Sequence, residues 1–162
     1  MKKIITLIVL IMTLNSCAEK IVINREVDST EYGKMLLGTQ SFDQFHKEPY
    51  KVWFDENYKI YPTDKPSIEA LKKAKINSYS ITVFLGTWCG DSHKNFPRLM
   101  KILDETKFPK SKLHIIGVNR KKQSPNGEEA KYNIVKVPTI ILEKYGKEIG
   151  RITEEPETGF IE

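Results

Sequence analysis

Hydrophobic residues run through this chain in three different spacings, and each predicts a different kind of element. The first is continuous. Behind Lys2-Lys3, Ile4 to Leu14 form a largely apolar run of eleven residues. Spanning a bilayer as a helix takes about 20 apolar residues, so this run fits a cleaved secretory signal and not a stable anchor. The second spacing comes in short blocks. Tyr50 to Phe54, Ser80 to Leu85, Leu113 to Val118 and Thr139 to Leu142 are rich in branched and aromatic residues, which predicts strands. The third repeats at three and four residues. Ile68 and Leu71, behind Asp64 and Pro66, predict a helix reaching about Lys75. Phe96, Leu99, Met100 and Leu103 share one face of a second helix.

Smaller signals fill the gaps. Ser41 to Lys47, with Phe42 and Phe45, predicts a short helix opened by a serine cap. Gln123-Ser124-Pro125-Asn126-Gly127 marks a loop before a short helix from Glu128 to Tyr132, and Tyr145-Gly146-Lys147 turns into a paired strand, Glu148 to Ile152. Between the apolar leader and Ser41 the pattern lapses. Glu19-Lys20, Arg25-Glu26 and Asp28-Ser29-Thr30 break up Ile21-Val22-Ile23, so residues 18 to about 40 read as a tether. Strands alternating with helices in so short a chain predict an α/β fold, a mixed sheet with helices on both faces.

Composition narrows the picture further. With 162 residues, 40% apolar and 29% charged, the chain suits one compact domain with extensions. The formal charge is +5, but removal of Lys2 and Lys3 leaves 24 basic against 21 acidic residues. That excess is scattered in pairs such as Lys72-Lys73 and Lys121-Lys122, without the concentrated basic stripe of a nucleic-acid surface. No nucleic-acid partner is expected.

Leu14-Asn15-Ser16-Cys17 resembles a bacterial lipoprotein lipobox, with Asn15 departing from the small or aliphatic residue usual there. The resemblance implies cleavage before Cys17 and a diacylglycerol thioether on its sulfur; the alternative is an ordinary cleaved signal beside a chance cysteine. Several acyl chains hold a protein to a membrane where one alone is marginal. The organisation expected is a signal over 1–16, a lipidated tether over 17–40 and a folded domain over 41–162, in the cell envelope.

Lipidation of Cys17 leaves Cys89 as the remaining thiol of two cysteines. It lies in Trp88-Cys89-Gly90-Asp91-Ser92, where a buried strand meets the next helix. Unpaired N–H groups and the dipole at a helix start favour an anion there, including a thiolate. His93, one turn on, adds to this if protonated, although a solvated first-turn role suits it better; Asp91 opposes. His46 and His114 lie far apart with no cysteine at ligand spacing, so neither a metal site nor a cofactor is expected.

From about Ser80 to Ile152 the chain is similar to the thioredoxin superfamily. Three features carry the resemblance: Trp88-Cys89-Gly90 with Ser92 at the second cysteine's place, Pro97 inside the following helix, and Ala130 to Thr139 running into Val137-Pro138. The motif resembles that of a bacterial group with one active-site cysteine. The resemblance implies a thioredoxin-like fold, a cis bond at Val137-Pro138 beside Cys89, and a substrate surface of Trp88, Gly90, Asp91, Val137 and Thr139. It places Cys89 as nucleophile, with Ser92 and Pro138 completing the centre; by its position Ser92 reads as a helix-start hydrogen-bonder, able also to donate to the Cys89 sulfur. The superfamily's buried acid is replaced by Val83. Its terminal helix is expected to be short or absent, because Glu154 to Glu162 has little to bury.

Ser92 cannot close an internal disulfide. Cycling would therefore need an external thiol to resolve a mixed disulfide between Cys89 and a protein or small-molecule partner. A non-catalytic binding module and a peroxide-reducing thiol that passes through a sulfenic acid are the alternatives.

Overall fold

Branched and aromatic side chains suit a pleated, buried surface, and the runs that carry them build the centre of the molecule. The structure is a computed structural model that describes residues 22–155. The leader, Cys17 and the acid-rich end after Glu155 lie outside the described residues. Among the described residues one sheet contains β1 (Arg25–Ser29), β2 (Gly33–Gln40), β3 (Ser80–Leu85), β4 (Leu113–Gly117), β5 (Thr139–Lys144) and β6 (Lys147–Thr153), in the spatial order β1-β2-β4-β3-β5-β6. Only β3 and β4 pair parallel, across the helix α3 (Gly90–Glu105) that joins them; the other neighbours are antiparallel.

Alternation along the strands splits the core in two. Ile81, Val83 and Leu85 of β3 join Ile115 and Ile140 on one face. Against them pack Tyr50 and Phe54 of α1 (Tyr50–Ile60), Leu71 of α2 (Lys65–Lys73), and Phe96, Leu99, Met100 and Leu103 of α3. Phe84, Ile116 and Ile141 point the other way and are covered by Tyr132, Ile134 and Val137, which follow the short helix α4 (Glu128–Lys131). Three helices thus pack on one face of a mixed sheet and the segment after the one-turn α4 covers most of the other, within the expected class of an α/β sheet flanked by helices.

α2 begins as its sequence predicts: Asp64 accepts the Ser67 N–H at 2.8 Å, with Pro66 in the first turn. Ser41, by contrast, makes no side-chain cap, and Phe42–His46 is a 3₁₀ turn that buries Phe45.

Two expectations are corrected. Tyr50 to Phe54 is not a strand but the start of α1. Tyr50, Phe54 and Tyr58 recur every four residues, and Phe54 and Phe45 both stack near Phe96 of α3, at 5.9 and 4.6 Å between ring centroids. A five-residue apolar window cannot separate the two periodicities; packing against α3 selects the helix.

The second correction concerns the tether. Arg25 to Gln40 forms the β1–β2 hairpin, so the folded unit begins well before residue 41. Leu36 is fully buried, and β2 joins the sheet only through Gly38–Gln40, opposite Ile115–Gly117 of β4. The rest of the hairpin runs past the end of β4. There its backbone presses on Gly117, where a Cβ would stand 2.2 Å from the Leu36 carbonyl oxygen. Only glycine permits that approach.

Candidate functional site

The site is assembled where β3 runs out. After Leu85 the chain turns through Gly86, Thr87 and Trp88, and the Cys89 N–H donates to the Gly86 carbonyl at 2.9 Å. The Trp88 indole folds back over Gly86 so tightly that a Cβ there would lie 2.5 Å from the ring. Its Nε1–H donates to the Val118 carbonyl at 2.8 Å, fixing the indole against the end of β4.

Cys89 is the N-cap residue of α3. Its backbone is extended (φ −102°, ψ 123°), and its carbonyl accepts the His93 N–H at 3.0 Å. The thiol is half-buried and donates to the Val137 carbonyl at 3.4 Å. The sulfur therefore sits between the positive end of a four-turn helix and the segment leading into β5. The Val137–Pro138 peptide bond is cis.

That segment is fastened from several directions. Thr139 Oγ1 donates back to the Lys136 carbonyl at 2.8 Å, and the Glu154 N–H donates to the Pro138 carbonyl at 2.7 Å. Asn95, buried in α3, donates from Nδ2 to the Glu154 carbonyl at 3.0 Å. The helix that carries Cys89 and the loop that faces it are thereby tied through one residue. The Glu154 carboxylate pairs with Lys136 at 2.6 Å and holds the ammonium above its ordinary pKa.

Ser92 is fully buried, and its Oγ accepts the Gly86 N–H at 3.2 Å. Ser92 is thus a hydrogen-bonder at the helix start, but its partner among the described residues is the Gly86 N–H, which the tight turn leaves in need of a buried acceptor, and not the sulfur. His93 is corrected as well. Instead of standing in solvent, its ring stacks on Trp53 of α1 at 4.4 Å and 9°, and Nε2–H donates to the Thr87 carbonyl at 2.8 Å. Gly90 and Asp91 are exposed at the start of α3. The structure thus brings Cys89, Trp88, Ser92, His93, Val137 and Pro138 together. Thr139 is buried and braces the loop through the Lys136 carbonyl, and Val83 is wholly buried in the main core.

Several residues here escape a sequence reading. Thr87 Oγ1 accepts the Leu36 N–H at 3.2 Å, which ties the β1–β2 hairpin to the turn before Cys89. The guanidinium of Arg120 lies 3.8 Å from the ring centroid of Tyr32, in the hairpin turn, and 5.2 Å from that of Trp88. Arg120 reads in sequence as the first of three basic loop residues. Only the hairpin's fold brings Tyr32 to it.

The family model described as Thioredoxin matches residues 68–161. Among solved structures, a Pseudomonas aeruginosa protein of unknown function is similar at a TM-score of 0.59 and 16% identity, over 74% of this chain and 74% of that one. An HIV epitope-scaffold is similar at a TM-score of 0.57 and 17% identity, again over 74% of each chain. Identities this low bear on the fold alone. No curated protein matches the chain.

Proposed function

The chain belongs to the thioredoxin family, and from that premise we propose that it exchanges thiols with disulfides through the single thiol of Cys89, tethered outside a bacterial membrane by lipid on Cys17. The observation that carries the reading is the setting of one sulfur. Cys89 Sγ is half-exposed at the N-terminus of a long helix and faces the loop before β5. A buried serine occupies the position three residues on.

The thiolate of Cys89 attacks one sulfur of a disulfide R–S–S–R′. A Cys89–S–S–R bond forms, the original S–S bond breaks, and R′S⁻ leaves to take up the proton that Cys89 gave up. Ser92 offers no second sulfur, so an external thiol R″SH attacks the mixed disulfide. It releases R–S–S–R″ and restores Cys89. Cys89 is oxidised in the first step and reduced in the second, and no cofactor enters.

On the loop that faces the sulfur, Val135 and Lys136 are exposed to an incoming partner, and the Trp88 indole supplies an apolar wall. The test uses the full chain with Cys17→Ser, leaving one thiol. Incubated with a peptide disulfide, the protein is expected to gain one peptide by mass and lose it again to dithiothreitol, whereas Cys89→Ser gains none. Peptide that binds equally well to Cys89→Ser, with no covalent adduct on the parent protein, would instead establish a binding module. The peroxide reading predicts a sulfenic acid on Cys89 with dilute peroxide and no preference for disulfides.

A further inference from the structure

Charge beside a reactive thiol bears on which disulfides it prefers, and one cation stands next to Trp88. Two cations at the Cys89 end of the molecule are paired. Lys136 pairs with Glu154 at 2.6 Å, and Lys94 pairs with Glu155. In the loop after β4, Arg120, Lys121 and Lys122 make no such pair among the described residues, and of the three Arg120 alone lies over aromatic rings. Among the described residues no carboxylate lies within 4 Å of it, and its guanidinium is held over Tyr32 and beside Trp88.

Stacking on rings holds a guanidinium in place by its face and leaves the N–H groups along its edge free. The platform is itself fixed. Trp88 is held by its bond to Val118, and Tyr32 is carried by the hairpin that Leu36 ties to Thr87. The loop bearing Arg120 is pinned by Asn119, whose Oδ1 accepts the N–H groups of Lys121 at 2.9 Å and Gln123 at 3.0 Å. A planar donor fork held at an orientation set by its neighbours is the arrangement that binds a carboxylate through two parallel bonds. It stands against the residue that immediately precedes the reactive cysteine.

We infer that Arg120 recognises a carboxylate on the substrate, so that the Cys89 site prefers disulfides carrying an acidic group close to the reacting sulfur. This rests on Cys89 being the reacting thiol. The carboxylate belongs either to a small disulfide or to an acidic side chain beside a peptide's cysteine. Tyr32 positions the guanidinium and touches no substrate.

The experiment reads the stoichiometric reaction of Cys89, independent of turnover, on the full chain with Cys17→Ser. Rate constants are measured for the dianionic 5,5′-dithiobis(2-nitrobenzoate), the neutral 2,2′-dithiodipyridine and the dicationic cystamine. Their ratios are compared between the parent protein, Arg120→Gln and Arg120→Lys. An exposed charge-assisted contact supports a discrimination of about three- to tenfold. The anionic-to-neutral ratio is expected to fall by that factor in Arg120→Gln and to recover in part in Arg120→Lys, while the cationic-to-neutral ratio rises. Raising salt should shrink the difference between parent and Arg120→Gln.

A peptide disulfide with Asp beside its cysteine, set against its Asn twin, identifies the source. Discrimination between the twins assigns the carboxylate to a peptide. Discrimination confined to the small anion assigns it to a small disulfide. Anionic-to-neutral ratios unchanged by Arg120→Gln overturn the proposal, even if all rates fall together, because a common fall reports only a disturbed Trp88. Failure of the exchange reading looks different: Cys89 would react with every disulfide no faster than free cysteine, whatever the ratios.

Discussion

Ser92 occupies the position on which the one-thiol mechanism turns, and replacing it separates two of its roles. Its oxygen is fully buried and accepts the Gly86 N–H at 3.2 Å. Ser92→Ala removes the acceptor and strands a buried donor, which costs about 1–3 kcal/mol. For a domain of this size that corresponds to roughly 3–5 °C of melting midpoint per kcal/mol. Ser92→Cys keeps a weaker acceptor in sulfur, so the reduced variant is expected to fall between the parent and Ser92→Ala. Oxidation then joins Cys89 to the new thiol. Closing a loop of about four residues restricts the unfolded chain by about 2 kcal/mol, which is enough to offset the loss. The assay is urea unfolding read by the fluorescence of Trp53 and Trp88, with and without dithiothreitol, on the full chain carrying Cys17→Ser. The oxidised Ser92→Cys protein should unfold at higher urea than its reduced form, and that form at higher urea than Ser92→Ala. If Ser92→Ala matches the parent, the Gly86 contact contributes nothing. If Ser92→Cys forms no internal disulfide under mild oxidation, by mass and thiol count, positions 89 and 92 do not face one another across the first turn. The mechanism assigned to Cys89 would then fall too.

Two further outcomes are expected. Cys17→Ala should abolish labelling by fatty-acid precursors and release the protein from membranes; an unlabelled, soluble parent protein would refute the lipid tether. Glu26 of β1 is held below the ordinary carboxylate range, first by its hydrogen bond with Lys34 and then by the Tyr50 hydroxyl, which outweigh the opposing cost of burial. A carboxylate with a lowered folded-state pKa stabilises above its unfolded value, and that contribution is lost as pH falls through the folded one. Glu26→Gln should therefore lower the urea midpoint near neutral pH, with the gap to the parent protein closing as the carboxylates protonate. A gap that stays constant down to about pH 3 would show that the charge of Glu26 plays no part.

What could be read without coordinates follows from how each element is buried. β3 is covered on both faces, so Ile81 to Leu85 is apolar but for Thr82, whose buried hydroxyl donates to Glu143, and the run announces itself. α3 buries one stripe, and Phe96, Leu99, Met100 and Leu103 repeat at its period. β1 lies at the sheet edge with Arg25, Glu26 and Asp28 exposed, so its sequence resembles that of a solvated linker. α1 was hidden because its first five residues are all bulky; only the recurrence at Tyr58 separates helix from strand. The same divide runs through the site. Trp88, Cys89, Ser92 and Val137-Pro138 sit in local motifs that carry their own signal. Arg120, Tyr32, Thr87 and Asn95 act through neighbours distant in the chain, and no local spacing encodes such neighbours.

Were Cys17 the lipid anchor, the hairpin would also set how far the domain stands from the bilayer. A free tether reaching to residue 41 would give the domain about 24 peptide steps from Cys17, some 80 Å of extended chain. With β1 already in the sheet at Arg25, only about eight steps remain, or at most about 28 Å. With Cys17 lipidated, the protein would ride close to the bilayer surface, without the freedom to sweep the space beyond it. The partners within its reach would then be disulfides presented near the membrane, on neighbouring envelope proteins or on chains emerging from it.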